Sequence, residues 1–395
     1  LPRLLHLEML MPPVVTPLVA PVSRRRLLAA LAALPLLSIA VPGCAANGGR
    51  RGWPAWQLLC DSSLSEDGRM IDRTQADQRS TSEGQSYALF FALVANDAER
   101  FARVLRWTQD NLAGGDMAAR LPAWLWGRDG KGGWSVLDPN PASDSDLWLA
   151  YALLEAARLW RMPDYQRIAM AMLAQVRERE IADLDGLGPM LLPGPHGFVA
   201  DGVTRVNPSY LPLPLLRRFA AVDRDGPWKA LAGNTVALLQ QSSPHGFAPD
   251  WAAWKNGAFV ADPVNGAVGS YDAIRCYTWA GMTAPRDPLF KRQLQALSGP
   301  LQRLRSGAAM WEKIDTRSGA GQGEGNDGFR AALLPYLLAQ GETALARQLQ
   351  DSLPSAAQQR AATPVYYTQM LSLFGLGWAE GRWRFAADGQ LQPRH

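Results

Sequence analysis

Cysteine and histidine are scarce here, with three and four residues in a chain of 395. Beyond Cys44 only Cys60 and Cys276 remain, and two cysteines so far apart make neither a disulfide framework nor a zinc site. A single bridge is open to them in an oxidising compartment; two buried thiols are the expectation. None of His6, His196, His245 and His395 stands in an HExxH or another ligand spacing, which argues against a zinc hydrolase. A G-x-S-x-G elbow and a P-loop lysine motif are missing as well. The glycine-rich GAGQGEG lacks the strand-and-helix context of a nucleotide loop and reads as a mobile loop. Nothing calls for a metal or a cofactor.

Long apolar runs are also lacking. Downstream of the first 46 residues no window approaches about 18 uninterrupted apolar residues, so no transmembrane helix is expected. The excess of positive charge is equally local. Residues 1–46 carry Arg3, Arg24, Arg25 and Arg26 against Glu8, so a chain without them keeps about +1 of the total of +4. Such a chain has no electrostatic reason to seek nucleic acid. Arg24-Arg25-Arg26 is followed by LLAALAALPLLSIAV, which suits the h-region of a secretory signal and is short for a spanning helix. SRRRLL resembles a twin-arginine signal, with initiation at Met9 or Met11. The reading is a signal segment over 1–46 and a single domain over 47–395, in the periplasm or secreted. Plain cleavage after Cys44-Ala45-Ala46 is favoured over a lipid anchor at Cys44, because Pro42 spoils the lipoprotein box.

What is abundant is helical periodicity. From residue 84 onward nearly every apolar pattern has a helical period, giving eleven or twelve helices and no convincing run of alternating strands. They come in pairs, the first member apolar all round and the second amphipathic. The first members start near residues 83, 144, 208, 271 and 327, a spacing of roughly 60 that suits helical hairpins in a ring or a solenoid. Each opens on polar residues: Ser82-Glu83, Ser143-Asp144, Asn207-Ser209, Ser270-Asp272 and Asn326-Asp327. Parallel inner helices of a closed ring would set all of these on one rim. The expected fold is therefore all-α, an (α/α)6 barrel of six helical hairpins with long Gly- and Pro-rich loops over the rim.

Carboxylates and indoles carry the chemistry. Tryptophan occurs 15 times, enough to supply both a core and a binding surface. Trp124, Trp126 and Trp134 in PAWLWGRDGKGGW, and Trp251 in APDWAAW, flank proline and glycine, where packing is a less automatic role. Exposed indole faces suit the apolar faces of sugar rings, so a cleft of tryptophan and carboxylates in an exported protein points to a polysaccharide. Cutting a glycosidic bond needs two carboxyl groups in different protonation states. Glu83, Asp144 and Asp272 are the rim candidates. Each also has a plain structural use: Glu83 in a first turn capped by Ser82, Asp144 as an N-cap, and Asp272 paired with Arg275 three residues on.

TSEGQSYALFFALVAND, PAWLWG, ASDSDLWLAYALLEAARLW, NPSYLP, GFAPDW and SYDAIRCYTWAGM resemble, in order, the motifs of glycoside hydrolase family 8. Within it they are most similar to the periplasmic endo-1,4-β-glucanases that accompany bacterial cellulose synthase. The resemblance runs from about Trp53 to Trp378. It implies the (α/α)6 barrel, an inverting mechanism, β-1,4-glucan chains as substrate and the cellulose synthase complex as a candidate partner. It places the general acid at Glu83 and the general base at Asp272. Asp144 falls at the sugar ring beside the scissile bond; it is sometimes labelled a nucleophile, but an inverting enzyme forms no glycosyl-enzyme, so binding and distorting the ring is its expected role. Tyr87, Trp124, Trp126, Trp134, Asn207, Tyr210, Trp251, Tyr271 and Arg275 are the candidate substrate-binding residues. Ser145 stands where the family usually has Ala or Gly. Glu83 is expected among Ser82, Gln85 and Tyr87, kept protonated by the Asp144 carboxylate, with Asp272 across the cleft at roughly 6.5–9.5 Å. Xylan and chitosan are the other substrates of such enzymes, and a catalytically idle glycan-binding component is the alternative of another class.

Overall fold

Twelve of the 13 residues of the helix Ser82–Val94 are buried, the exception being Glu83. A helix apolar all round belongs inside, and the structure, a computed structural model that describes residues 52–362 and 365–394, puts it there. The signal segment and Cys44 lie outside the described residues. After α1 (Pro54–Ser63), α2 (Ser82–Val94) pairs with α3 (Ala98–Leu112), α4 (Ser143–Trp160) with α5 (Pro163–Arg179), and α6 (Leu213–Val222) with α7 (Trp228–Ser242). Next, α8 (Ala273–Met282) packs on α9 (Phe290–Ala296), which α10 (Gly299–Arg305) follows. Then α11 (Asp327–Ala332) and α12 (Leu334–Ala339) pack on α13 (Thr343–Asp351). After α14 (Ala356–Ala361), α15 (Tyr366–Ala379) returns to α1, so the sixth hairpin joins the two ends of the described chain.

The inner helices α2, α4, α6, α8 and α11–α12 each touch the next, α15 packs on α11 and α12, and Phe374 of α15 meets Tyr87 and Phe91 of α2. That closes the ring: an (α/α)6 barrel. Its axis is filled by aromatic edges, with Trp148 5.0 Å from Phe90 and 5.2 Å from Trp279. Trp148 and Trp279 are thus core. The floor is sealed by the C-terminal hairpin, whose Leu391 N–H donates to the buried Glu155 (2.8 Å), itself held by Arg218 (2.6 Å). Cys60 and Cys276 are buried and free, and burial pushes the Cys60 thiol up to about 12. No helix among the described residues is long and apolar enough to cross a membrane.

Two details depart from the periodicity. Prolines divide what reads as continuous helix: Pro208–Tyr210 is a 3-10 turn before α6, Gly299-Pro300 separates α9 from α10, and Pro335 opens α12. The loops, in turn, contain strands of two to eight residues, paired antiparallel. Runs this short alternate too few times to register in sequence. Inner helices approach closely at glycines. A Cβ on Gly375 would fall inside the Ala331 carbonyl, so Gly375→Ala is expected to cost about 1–3 kcal/mol as overpacking, read as a lower urea midpoint at unchanged m.

Candidate active site

Short strands aim the rim. Ser80–Thr81 runs into α2 and Glu83, Trp134–Pro141 into α4 and Asp144, Val203–Val206 into Asn207, and Val268–Gly269 into Asp272. Thr81 is the N-cap of α2, its hydroxyl accepting from Gly84 N–H at 3.1 Å; Ser82, the sequence-based cap, is the first helical residue. Asp272 caps α8 by position, with no side-chain bond to a backbone N–H of its first turn.

One guanidinium gathers the three carboxylates. Arg275, 2% exposed, donates from one terminal nitrogen to Glu83 and to the Tyr87 hydroxyl (3.2 Å), and from the other to Asp272 (2.9 Å) and the Ser209 hydroxyl (3.0 Å). Asp144 lies 3.6 Å from it. Arg275 is therefore no private partner of Asp272. A single cation cannot neutralise three anions, and Asp144 yields: burial first, then the Glu83 carboxylate, push it up to about 7. The raised Asp144 carboxyl can hold a proton against Glu83. The Ser145 hydroxyl donates to Asp144 at 3.2 Å, a bond that Ala or Gly at that position cannot make.

The surroundings of Glu83 differ from expectation as well. Gln85 turns away into the core, donating to Thr108 (2.9 Å) and accepting from Met70 N–H (2.6 Å). Tyr87 is 2% exposed and supports Arg275 from beneath, with no open face for a sugar. Asn207 donates to Asp272 at 3.1 Å and its oxygen accepts from Ser209. Tyr210 sits 5.8 Å from the Arg275 guanidinium.

Two indole platforms stand on the strands that lead into the site. Trp126, whose strand pairs with Ser80, stacks on Trp134 with centroids 5.1 Å apart, and the Arg69 guanidinium lies 4.2 Å from Trp126. Trp134 is 41% exposed, and Trp124 is half-buried on the same strand as Trp126. Trp251, next to the strand that pairs with Val206, stacks on Phe198 at 5.9 Å and meets Tyr210 edge-on at 6.3 Å. Tyr271, 40% exposed, donates to Glu312 at 3.0 Å beside the catalytic candidate Asp272.

Three residues escaped the sequence reading. One oxygen of Asp250 accepts from the N–H groups of Ser270 (2.8 Å), Asp272 (3.0 Å) and Ala273 (2.7 Å), fixing the turn that presents Asp272. Burial, then Asp272, raises it to about 6. Tyr366 packs against Gly84, and Tyr367 donates to the Tyr271 carbonyl at 2.8 Å. The tyrosine pair opens the sixth inner helix, and the rule of polar rim ends would have found it there; Asp250 lies 22 residues from its partner, with no local signal.

The model of the family described as glycosyl hydrolases family 8 matches residues 32–381. An endoglucanase of Xanthomonas axonopodis pv. citri is 52% identical over 94% of this chain and 97% of its own, and one from Escherichia coli O157:H7 is 42% identical over 86% and 91%. The crystal structure of an endo-1,4-D-glucanase from Vibrio fischeri superposes with a TM-score of 0.81 at 38% identity, covering 87% of this chain and 99% of that one. With its ring of helices and three carboxylates on one rim, the chain belongs to glycosyl hydrolases family 8.

Proposed function

We propose that the protein is an exported endo-β-1,4-glucanase that cleaves its chain with inversion. The observation that carries this reading is the clustering of Glu83, Asp144 and Asp272 on Arg275, between two indole platforms. Glu83 delivers to the glycosidic oxygen the proton it shares with Asp144, as the bond from C1 to that oxygen breaks. Asp272, part-exposed and oriented by Asn207 and Arg275, takes a proton from the water that attacks C1 from the opposite face. Asp144 then grips the ring beside the scissile bond. Trp126 with Trp134, and Trp251 with Phe198, offer faces on which successive glucose units lie. The endoglucanase names of the relatives support the glucan. The motif likeness to enzymes that accompany cellulose synthase extends the proposal to trimming a nascent glucan during its secretion.

The test is product formation from carboxymethylcellulose and cellohexaose by the purified mature chain, with anomeric NMR in the first minutes. Short α-anomeric products are expected. Tight binding of cellohexaose without cleavage would instead make the protein a glycan-binding component, with its carboxylates serving as helix caps.

A further inference from the structure

Behind the catalytic rim lies a second pair of acids that the reaction described above does not use. Asp146 lies two places beyond Asp144 on α4, toward the opposite side of that helix, and Glu180 follows the last residue of α5. Both are fully buried, and none of their four carboxyl oxygens has a donor from another described residue. Each has the other's carboxyl as its side-chain neighbour within hydrogen-bonding reach. Their backbones are knotted through Leu192 and Pro193: Leu192 N–H donates to the Glu180 carbonyl (2.7 Å), while Ser143 donates from its hydroxyl to the Leu192 carbonyl (2.6 Å) and from its N–H to that of Pro193 (3.0 Å). The first turn of α4, which carries Asp144, is thereby tied through Leu192 and Pro193 to the end of α5 by three hydrogen bonds, one of them from the Ser143 side chain.

Two buried carboxylates in contact with no donor between them would each bear a full desolvation cost, so at least one must carry a proton and donate it to the other. We propose that Asp146 and Glu180 form a proton-sharing carboxyl pair that positions Asp144 for the reaction. Burial holds Asp146 well above the usual carboxylate range, with Glu180 as the next cause, and burial brings Glu180 up to about 8. The other charged groups that bear on the pair are Asp144 on α4 and Arg179 on α5. A protonated pair is a strong clamp in a dry interior. Once ionised it repels itself and Asp144.

The sign of the pH dependence follows. A carboxyl whose folded pKa lies above its unfolded value binds more protons when folded, so its stabilisation is complete below the unfolded value and is lost as pH rises through the folded one. The thermal midpoint of the wild type should fall as pH is raised from about 5 to about 8, and Glu180→Gln, neutral throughout, should lack the part of that fall due to Glu180. Asp250 contributes equally to both proteins, so the difference reads the pair together with its coupling to Asp144. Parallel slopes overturn the shared proton.

Positioning is read in kcat. Asp146→Ala is expected to lower kcat on carboxymethylcellulose about tenfold or more with KM within about twofold, and Asp146→Asn, which can still donate to Glu180, to restore most of it. A folded Asp146→Ala with wild-type kcat overturns positioning. Should that variant not fold, the pH limb of kcat governed by Asp144 takes its place: it should move to lower pH in Glu180→Gln, and an unmoved limb overturns the proposal equally. The kcat arm rests on the glucanase reading, whereas the unfolding arm does not. An inactive wild type would therefore sink that reading and leave the shared proton to be judged by its slope.

Discussion

Glu83→Gln is expected to lower kcat on carboxymethylcellulose by about 10²–10⁴-fold, the range for loss of a general acid, with KM and thermal midpoint nearly unchanged. The amide keeps the size of the side chain and can still accept from Arg275, but it has no proton to give. Leaving-group dependence makes the result specific. An aryl cellobioside whose phenolate departs without protonation should be cut by the variant at a rate much closer to wild type. Asp272→Asn should fail on both substrates, since each needs an activated water. Equal losses of Glu83→Gln on both substrates would remove Glu83 from the role of acid and leave it a ligand of Arg275.

The second large effect is expected at Arg275. This cation is 2% exposed and faces three carboxyl groups, so Arg275→Met strands them without a counter-charge. Breaking a buried ion pair from one side costs about 3–5 kcal/mol, and that is the expected loss of stability at pH 7. The loss should shrink toward pH 4. Without the guanidinium the clustered carboxyls repel one another and the protonated form is favoured in the fold, a stabilisation present at low pH and lost as pH climbs. Asp144, already at about 7, behaves this way in the wild type. Urea unfolding of both proteins at pH 4 and pH 7 decides: a deficit independent of pH would mean that Arg275 is valued for its packing and not for its charge.

Much of this was legible before any coordinates. The apolar runs after Ser82, Ser143 and Ser270 announce inner helices because burial on all sides leaves no polar stripe. The same polar starts mark the rim because parallel helices share an end. What escaped had physical reasons. Gln85 sits in the motif of Glu83, yet a residue two places along a helix faces the opposite side, and it serves Thr108 and Met70. Tyr87, four places from Glu83, shares its face but lies a turn deeper, under Arg275. The service of Asp250 to Asp272 is tertiary, and the strands are too short to impose a period.

Because α15 packs on α1, and the hairpin after it plugs the floor through Glu155, the ring has no closed intermediate made of its first five hairpins. The first and last segments must meet before the aromatic axis is shielded from water. Folding is therefore dominated by a contact that spans nearly the whole chain, a slow search by loop-closure entropy. A nascent chain would hold its inner helices unburied until its final residues were free, which makes the interval after synthesis the time at which it depends most on chaperones. The same topology makes the two ends of the described chain near neighbours, so a short linker between them, with new ends cut in an outer loop, should leave the barrel intact and shift the burden of closure elsewhere.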